Sequence, residues 1–251
     1  MRSYIRRTLA QTLTICALSM GALTTLEIAK PSGLAFALTQ QEVASRLSIV
    51  PTFVIGVGEN FVTYPVTQNG DEASTSEVLP VFMTRQDAEA YIERSRTRED
   101  LPALPAEATV LGSRLDYLYT LETSSRGDGD RPINLAYIPQ PSEVQQAVAI
   151  NSEFSQGVPL FYPQLEDGTI VAVAQSDGEE IFPLFFSKAD LEGVLAELNE
   201  RDADARSVLQ IGVVPLEFML RQMATSEDDA FSQFRLFPAS EVINSFQQPT
   251  P

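Results

Sequence analysis

Reactive side chains are scarce in this sequence, and the scarcity limits its chemistry more than any motif does. There is no histidine, and the one cysteine, Cys16, stands near the start. Beyond it, no Ser-His-Asp or Cys-His arrangement can be built, nor a zinc site of the usual ligands. A Ser-Lys dyad would have to use Lys188, because the other lysine is Lys30. Lys188 falls in the first turn of a predicted exposed helix, where solvent favours the charged ammonium. Carboxylate pairs are the remaining acid–base option, but 34 Asp and Glu residues always offer pairs and none is distinguished by context. Asp128-Gly129-Asp130 lacks the bidentate Glu of an EF-hand, and Glu227-Asp228-Asp229 is a short acidic run; both read as solvated loops. Gly56-Val57-Gly58 lacks the third glycine and the following helix of a dinucleotide fingerprint, and reads as a hairpin turn. The expectation is a protein that is not an enzyme and uses neither metal nor cofactor.

Charge and leader bound the setting. Residues 1–37 read as a signal peptide: Arg2, Arg6 and Arg7 precede the uncharged stretch Thr8 to Leu26, and Ala35-Phe36-Ala37 offers a cleavage site before Leu38. An uncleaved anchor is the alternative, since the stretch is nearly long enough to span a bilayer. The formal net charge is −17, and removing a leader of net +3 leaves −20. That balance argues against nucleic acid and against anionic lipid surfaces. An exported protein is expected.

The elements that position any site show an internal correspondence about 100 residues apart. Thr84-Arg85-Gln86-Asp87 follows Val78-Leu79-Pro80-Val81-Phe82, and Ser187-Lys188-Ala189-Asp190 follows Ile181-Phe182-Pro183-Leu184-Phe185. In both, a hydroxyl with a carboxylate three residues later predicts a helix start. Further matches in order are Pro51-Thr52-Phe53 with Pro159-Leu160-Phe161, Leu115-Asp116-Tyr117 with Leu216-Glu217-Phe218, and Ser142-Glu143-Val144 with Ser240-Glu241-Val242. Each half is predicted to hold three β segments (51–57, 61–66, 78–83; 158–162, 169–174, 180–186). An amphipathic helix follows (85–97; 188–200), then a strand (108–112; 207–214), a helix (114–122; 215–224), a strand (133–138; 233–237) and a helix (142–150; 240–247). A capped helix at 39–48 leads in. The fold class is mixed α/β (α+β): two pseudo-symmetric halves, 38–150 and 151–251, each with helices on a mostly antiparallel sheet, packed as one pseudo-two-fold unit.

Aromatic residues concentrate on these strands. Most must be core, yet Phe182 with Phe185-Phe186, and Phe161 with Tyr162, fall on both faces of one strand. A sheet covered on one face only would leave aromatic surface on the other, to be closed by the other half or offered to a client polypeptide. Phe53, Tyr64, Phe82, Phe161, Tyr162, Phe182, Phe185 and Phe186 are the candidate client-binding residues on that reasoning, with Phe53–Phe82 and Phe161–Phe185 as pairs.

Val50-Pro51-Thr52-Phe53, followed by Pro80-Val81-Phe82-Met83-Thr84-Arg85-Gln86-Asp87-Ala88, resembles the Tic twenty-two (Tic22) family of chloroplast import components and their cyanobacterial relatives. The likeness runs from about Leu38 to Phe246; Thr52 stands where the family commonly has Val, and the second-half copy is looser. The resemblance implies a two-winged α/β protein with apolar pockets. It also implies a chaperone-like role in protein translocation or outer-membrane biogenesis, in the intermembrane space of plastids or the periplasm or lumen of cyanobacteria. Its partners would be precursor or outer-membrane proteins in transit, and possible docking partners are the outer-membrane assembly machinery and a membrane surface. The alternative is a structural adaptor bridging inner- and outer-membrane translocation components.

Overall fold

Two cross-strand phenylalanine pairs mark the centres of two sheets: Phe53 opposite Phe82, and Phe161 opposite Phe185. In this computed structural model, residues 37–67, 75–125, 131–174, 179–201 and 209–246 are described. The expected leader up to Phe36 and the Asp128-Gly129-Asp130 loop lie outside them.

The first sheet follows helix α1 (Gln40–Leu47) and contains β1 (Pro51–Val57), β2 (Asn60–Phe61), β3 (Tyr64–Thr67) and β4 (Thr75–Phe82). Helix α2 (Arg85–Thr97), β5 (Thr109–Arg114), α3 (Leu115–Ser125) and β6 (Ile133–Ile138) complete its run of chain. After α4 (Pro141–Ile150) come β7 (Pro159–Leu165), β8 (Val173–Ala174) and β9 (Glu180–Phe185). Then follow α5 (Lys188–Arg201), β10 (Leu209–Pro215), α6 (Leu216–Thr225), a 3-10 turn (Asp229–Gln233), β11 (Phe234–Phe237) and α7 (Ser240–Phe246).

The main strand order is β5-β1-β4-β6 in one sheet and β10-β7-β9-β11 in the other. The first two pairings of each are antiparallel, whereas β6 runs parallel to β4 and β11 parallel to β9. Both sheets are thus mixed, because the chain from β4 to β6, and from β9 to β11, crosses over through helices. The expected second β segment of the first half divides into β2 and β3, which pair with different neighbours.

Each central strand carries a proline, which sequence rules assign to edges. In β4 the amides of Glu77 and Met83 both donate toward β6, to Pro132 and Ile138 carbonyls at 2.9 and 3.4 Å. Alternation therefore turns Pro80 to the other edge. There β3 pairs residues 75–78 and β1 pairs only Phe82, so no ladder partner requires an N–H from Pro80. Pro183 repeats the device: Phe186 N–H donates to Phe237, β8 pairs residues 180 and 181, and β7 pairs 185.

The helix starts form as their residues dictate. Asp87 N–H donates to Thr84 Oγ1 at 3.1 Å, and Asp190 N–H to Ser187 Oγ at 3.2 Å. Thr84 Oγ1 in turn donates to Asp87 Oδ2 at 2.6 Å. Thr84→Ala should cost about 1 kcal/mol in urea-unfolding stability, while Thr84→Ser should lose little.

Two compact units result, and they are not the two sequence halves. The N-terminal unit is Gln40–Val144 together with the segment from Pro238; the C-terminal unit includes Gln145–Phe237. Each therefore takes a final helix other than the one expected. In the N-terminal unit α7 lies beside α2 and β1, with the Phe246 ring 5.9 Å from that of Phe53. In the C-terminal unit Ala147 of α4 is buried with Phe161, Phe185 and Leu191, and Ile150 packs against them. The apolar stripe of a helix specifies how much it buries but not which sheet receives it.

Candidate functional site

The six candidate phenylalanines are core residues, none more than 8 % exposed. Their burial has a common cause: both faces of the central strands are covered. Pro51 to Gly56 of β1 are all buried, as are Ile181 to Phe186. Arg85 of α2 lies 5.2 Å above the Phe53 ring, and Tyr91 packs 5.4 Å from Phe82. In the other unit Phe185 stacks on Phe237 at 4.9 Å beneath α5, while Phe182 meets Phe234 at 5.2 Å. Phe231 of the 3-10 turn extends that second cluster, 5.6 Å from Phe234. An open aromatic face of the sheets, as expected from one-sided helix cover, is therefore corrected. Only Tyr64 and Tyr162 of the eight are half-buried. Burial pushes both phenols up from their ordinary value, with the neighbouring Tyr91 adding to the effect at Tyr64.

The exposed large apolar side chains lie elsewhere. Ile49 and Tyr117 are 59 % and 56 % exposed, and Val66 and Val148 are the other two among the described residues. Val50 carbonyl accepts from Leu115 N–H at 3.0 Å at the start of α3, the helix that carries Tyr117. Phe61 of β2 meets the Tyr117 ring edge-on at 6.2 Å. Sequence reasoning missed Ile49, although it stands off the Val43–Leu47 stripe that α1 buries.

The ionisable groups serve structure. Lys188 pairs with Glu192 one turn on, and Ser187 is a helix cap rather than a nucleophile beside it. Asp228, expected in a solvated loop, caps the 3-10 turn by accepting from Ala230 N–H at 2.9 Å. Among the described residues no group of three or more Asp, Glu, His or Cys could hold a metal ion. Glu217 is the exception in its environment: burial raises its carboxyl above the usual range, against the opposing pull of backbone hydrogen bonds that include Val158 N–H at 3.2 Å. A carboxyl raised in the folded state binds its proton more tightly there than when unfolded. Its contribution is therefore full below the unfolded pKa and is lost as pH rises through the folded one. Glu217→Gln keeps an acceptor for Val158 and removes the charge. Its chemical-denaturation midpoint should fall less than that of wild type between the ordinary carboxylate range and pH 7.

Comparison with known proteins places this geometry. The model of the Tic22-like family matches residues 8–248. Protein TIC 22, chloroplastic, of Pisum sativum is 26 % identical over 193 residues, covering 76 % of this chain and 69 % of that one. The solved structure of Anabaena Tic22, described as a protein of protein transport, aligns with a TM-score of 0.68 at 20 % identity, over 85 % of this chain and 99 % of that one. Tic22 from Plasmodium falciparum aligns at a TM-score of 0.60 and 18 % identity, over 81 % and 94 %. No described helix is long and apolar enough to cross a membrane.

Proposed function

The chain belongs to the Tic22-like family, and from that premise we propose that it is a component of protein transport that binds polypeptides in transit as a non-enzymatic, chaperone-like factor. The observation that carries the reading is the family match over nearly the whole chain, joined to a fold shared over 85 % of this chain with the Anabaena protein of protein transport. The chemistry agrees with it. Downstream of Cys16 no His or Cys is available for catalysis, the Asp87 carboxylate accepts from the Thr84 hydroxyl, and Lys188 pairs with Glu192. The acidic excess keeps such a protein soluble beside apolar binding surface and favours partners with basic stretches. The leader-like segment, ending in Ala35-Phe36-Ala37, supports an exported setting, which in this reading is the periplasm or thylakoid lumen.

A structural adaptor between membrane-embedded translocation components is the second reading. The exposed Tyr117 ring, with Phe61 edge-on beside it, favours it, since a small exposed patch suits one folded neighbour. A photo-reactive residue at Tyr117, cross-linked in intact cells, separates the two. Many unfolded precursors among the products support the chaperone; one folded neighbour, with no suppression of precursor aggregation by the purified protein, sinks it.

A further inference from the structure

The groove that holds α7 has features of a site whose present occupant can be exchanged. Its floor is built from elements other than α7. β1 pairs with β5 over six residue pairs, and Phe53 is fixed between Phe82 across the strands and Arg85 above. Gly112 in β5 shapes it: a Cβ there would stand 2.9 Å from Phe246 Cε2. Backbone conformation does not call for this glycine, because the positive-φ glycines are Gly58, Gly157 and Gly168. The missing side chain instead leaves space, and an aromatic ring fills it.

The occupant is short: α7 has seven residues, too few to be a stable helix by itself. Among its contacts are buried Ala239 and Val242, half-buried Phe246 and a 3.0 Å side-chain bond from Gln140 to Glu241. It also reaches this unit only through Pro238, after a long excursion of the chain through the other unit. The corresponding cover over Phe161 differs. There Ala147 and Ile150 belong to α4, which runs directly on into the chain of its own unit. Of the two aromatic pairs, one is thus sealed by a continuous helix and the other by a short, separately tethered one.

We propose that α7 is a displaceable plug, and that the groove floored by Phe53 and Gly112 binds client segments presenting an aliphatic residue and, four residues on, an aromatic one. Val242 and Phe246 are the internal template for that spacing, one turn apart on a helix face. The inference rests on the client-binding reading above and gives it a location. While α7 is docked, apparent affinity is reduced by the fraction of time the groove is open.

The test uses the full chain in a Cys16→Ser background and two probes. One is a fluorescently labelled peptide with the sequence of residues 238–251; the other is reduced, carboxymethylated α-lactalbumin, an unfolded client. Phe246→Ala should bind the peptide about tenfold more tightly than wild type, and Val242→Ala should shift it the same way. Adding Gly112→Ala to Phe246→Ala should abolish the gain. Gln140→Cys with Glu241→Cys, bridged by a short thiol cross-linker, should close the site, and the unfolded client should follow the same order. Peptide binding that is equal in wild type, Phe246→Ala and the cross-linked form overturns the plug. Client binding indifferent to all these changes overturns the assignment of clients to this groove while leaving the chaperone reading intact. If no form binds the client but the peptide follows the expected order, the chaperone reading fails and the exchangeable groove stands.

Discussion

Phe161→Ala is expected to lower the unfolding stability of the C-terminal unit by about 3–5 kcal/mol, the range for deleting a fully buried phenyl ring. The ring is 0 % exposed and lies in one cluster with Ala147, Phe154, Phe185, Leu191 and Leu195. It also forms the single register pair joining β7 to β9. A cavity there removes packing from two strands and two helices at once, and a rigid sheet cannot collapse into it. Urea titration followed by far-UV circular dichroism would read the loss, and Phe161→Leu should recover a substantial part. Tyr162, the neighbouring residue, offers the contrast. It is half-buried and packs over Gly212, so Tyr162→Phe should be close to neutral. A Phe161→Ala variant as stable as wild type would show that this ring is not core.

Gly157→Ala is expected to cost about 1–3 kcal/mol through the backbone, with a further loss from a broken hydrogen bond. Gly157 has φ +93°, a region that L side chains rarely adopt, and its added Cβ would stand 2.5 Å from Glu217 Oε2. Glu217 cannot retreat without releasing Val158 N–H, and the Val158 carbonyl accepts from Leu216 N–H at 2.8 Å. The turn into β7 and the start of α6 are therefore disturbed together. Combining Gly157→Ala with Glu217→Ala, which gives the new methyl room, should relieve the steric part and leave the cost of the positive φ. Gly168, at φ +84° with nothing near its Cβ position, should show the conformational cost alone.

Local features were legible where local chemistry decides them. Thr84-Arg85-Gln86-Asp87 and Ser187-Lys188-Ala189-Asp190 announce helix starts because a hydroxyl and a carboxylate at that spacing satisfy nearby amides, and both form. The strands around Phe53, Phe82, Phe161 and Phe185 were readable as well, since β-branched and aromatic runs bounded by turn residues have few alternatives. Pro80 and Pro183 stand against the usual rule, and only the register explains them: each turns toward a gap between two partial neighbours.

The candidate site was less legible, and one inference shows why. Phe182 and Phe185 stand on opposite faces of one strand, which under one-sided helix cover would leave aromatic surface for the other half or a client, yet a continuous apolar run such as Ile181 to Phe186 belongs to a strand covered on both sides. Ile49 and Tyr117, exposed in fact, carry no distinguishing pattern, because any apolar residue in a stripe looks like core.

By itself, the sequence determined the family, the mixed α/β class, the helix caps, the aromatic strand centres and the want of histidine or thiol chemistry beyond Cys16. Each depends on residue identity or on spacing within one or two turns. Tertiary structure alone decided that both faces of the central strands are covered, and that α7 rather than α4 completes the N-terminal unit. Hydrophobic burial is non-directional: periodicity fixes which face of an element leaves water, while shape at particular spots, such as the space beside Gly112, selects what it meets.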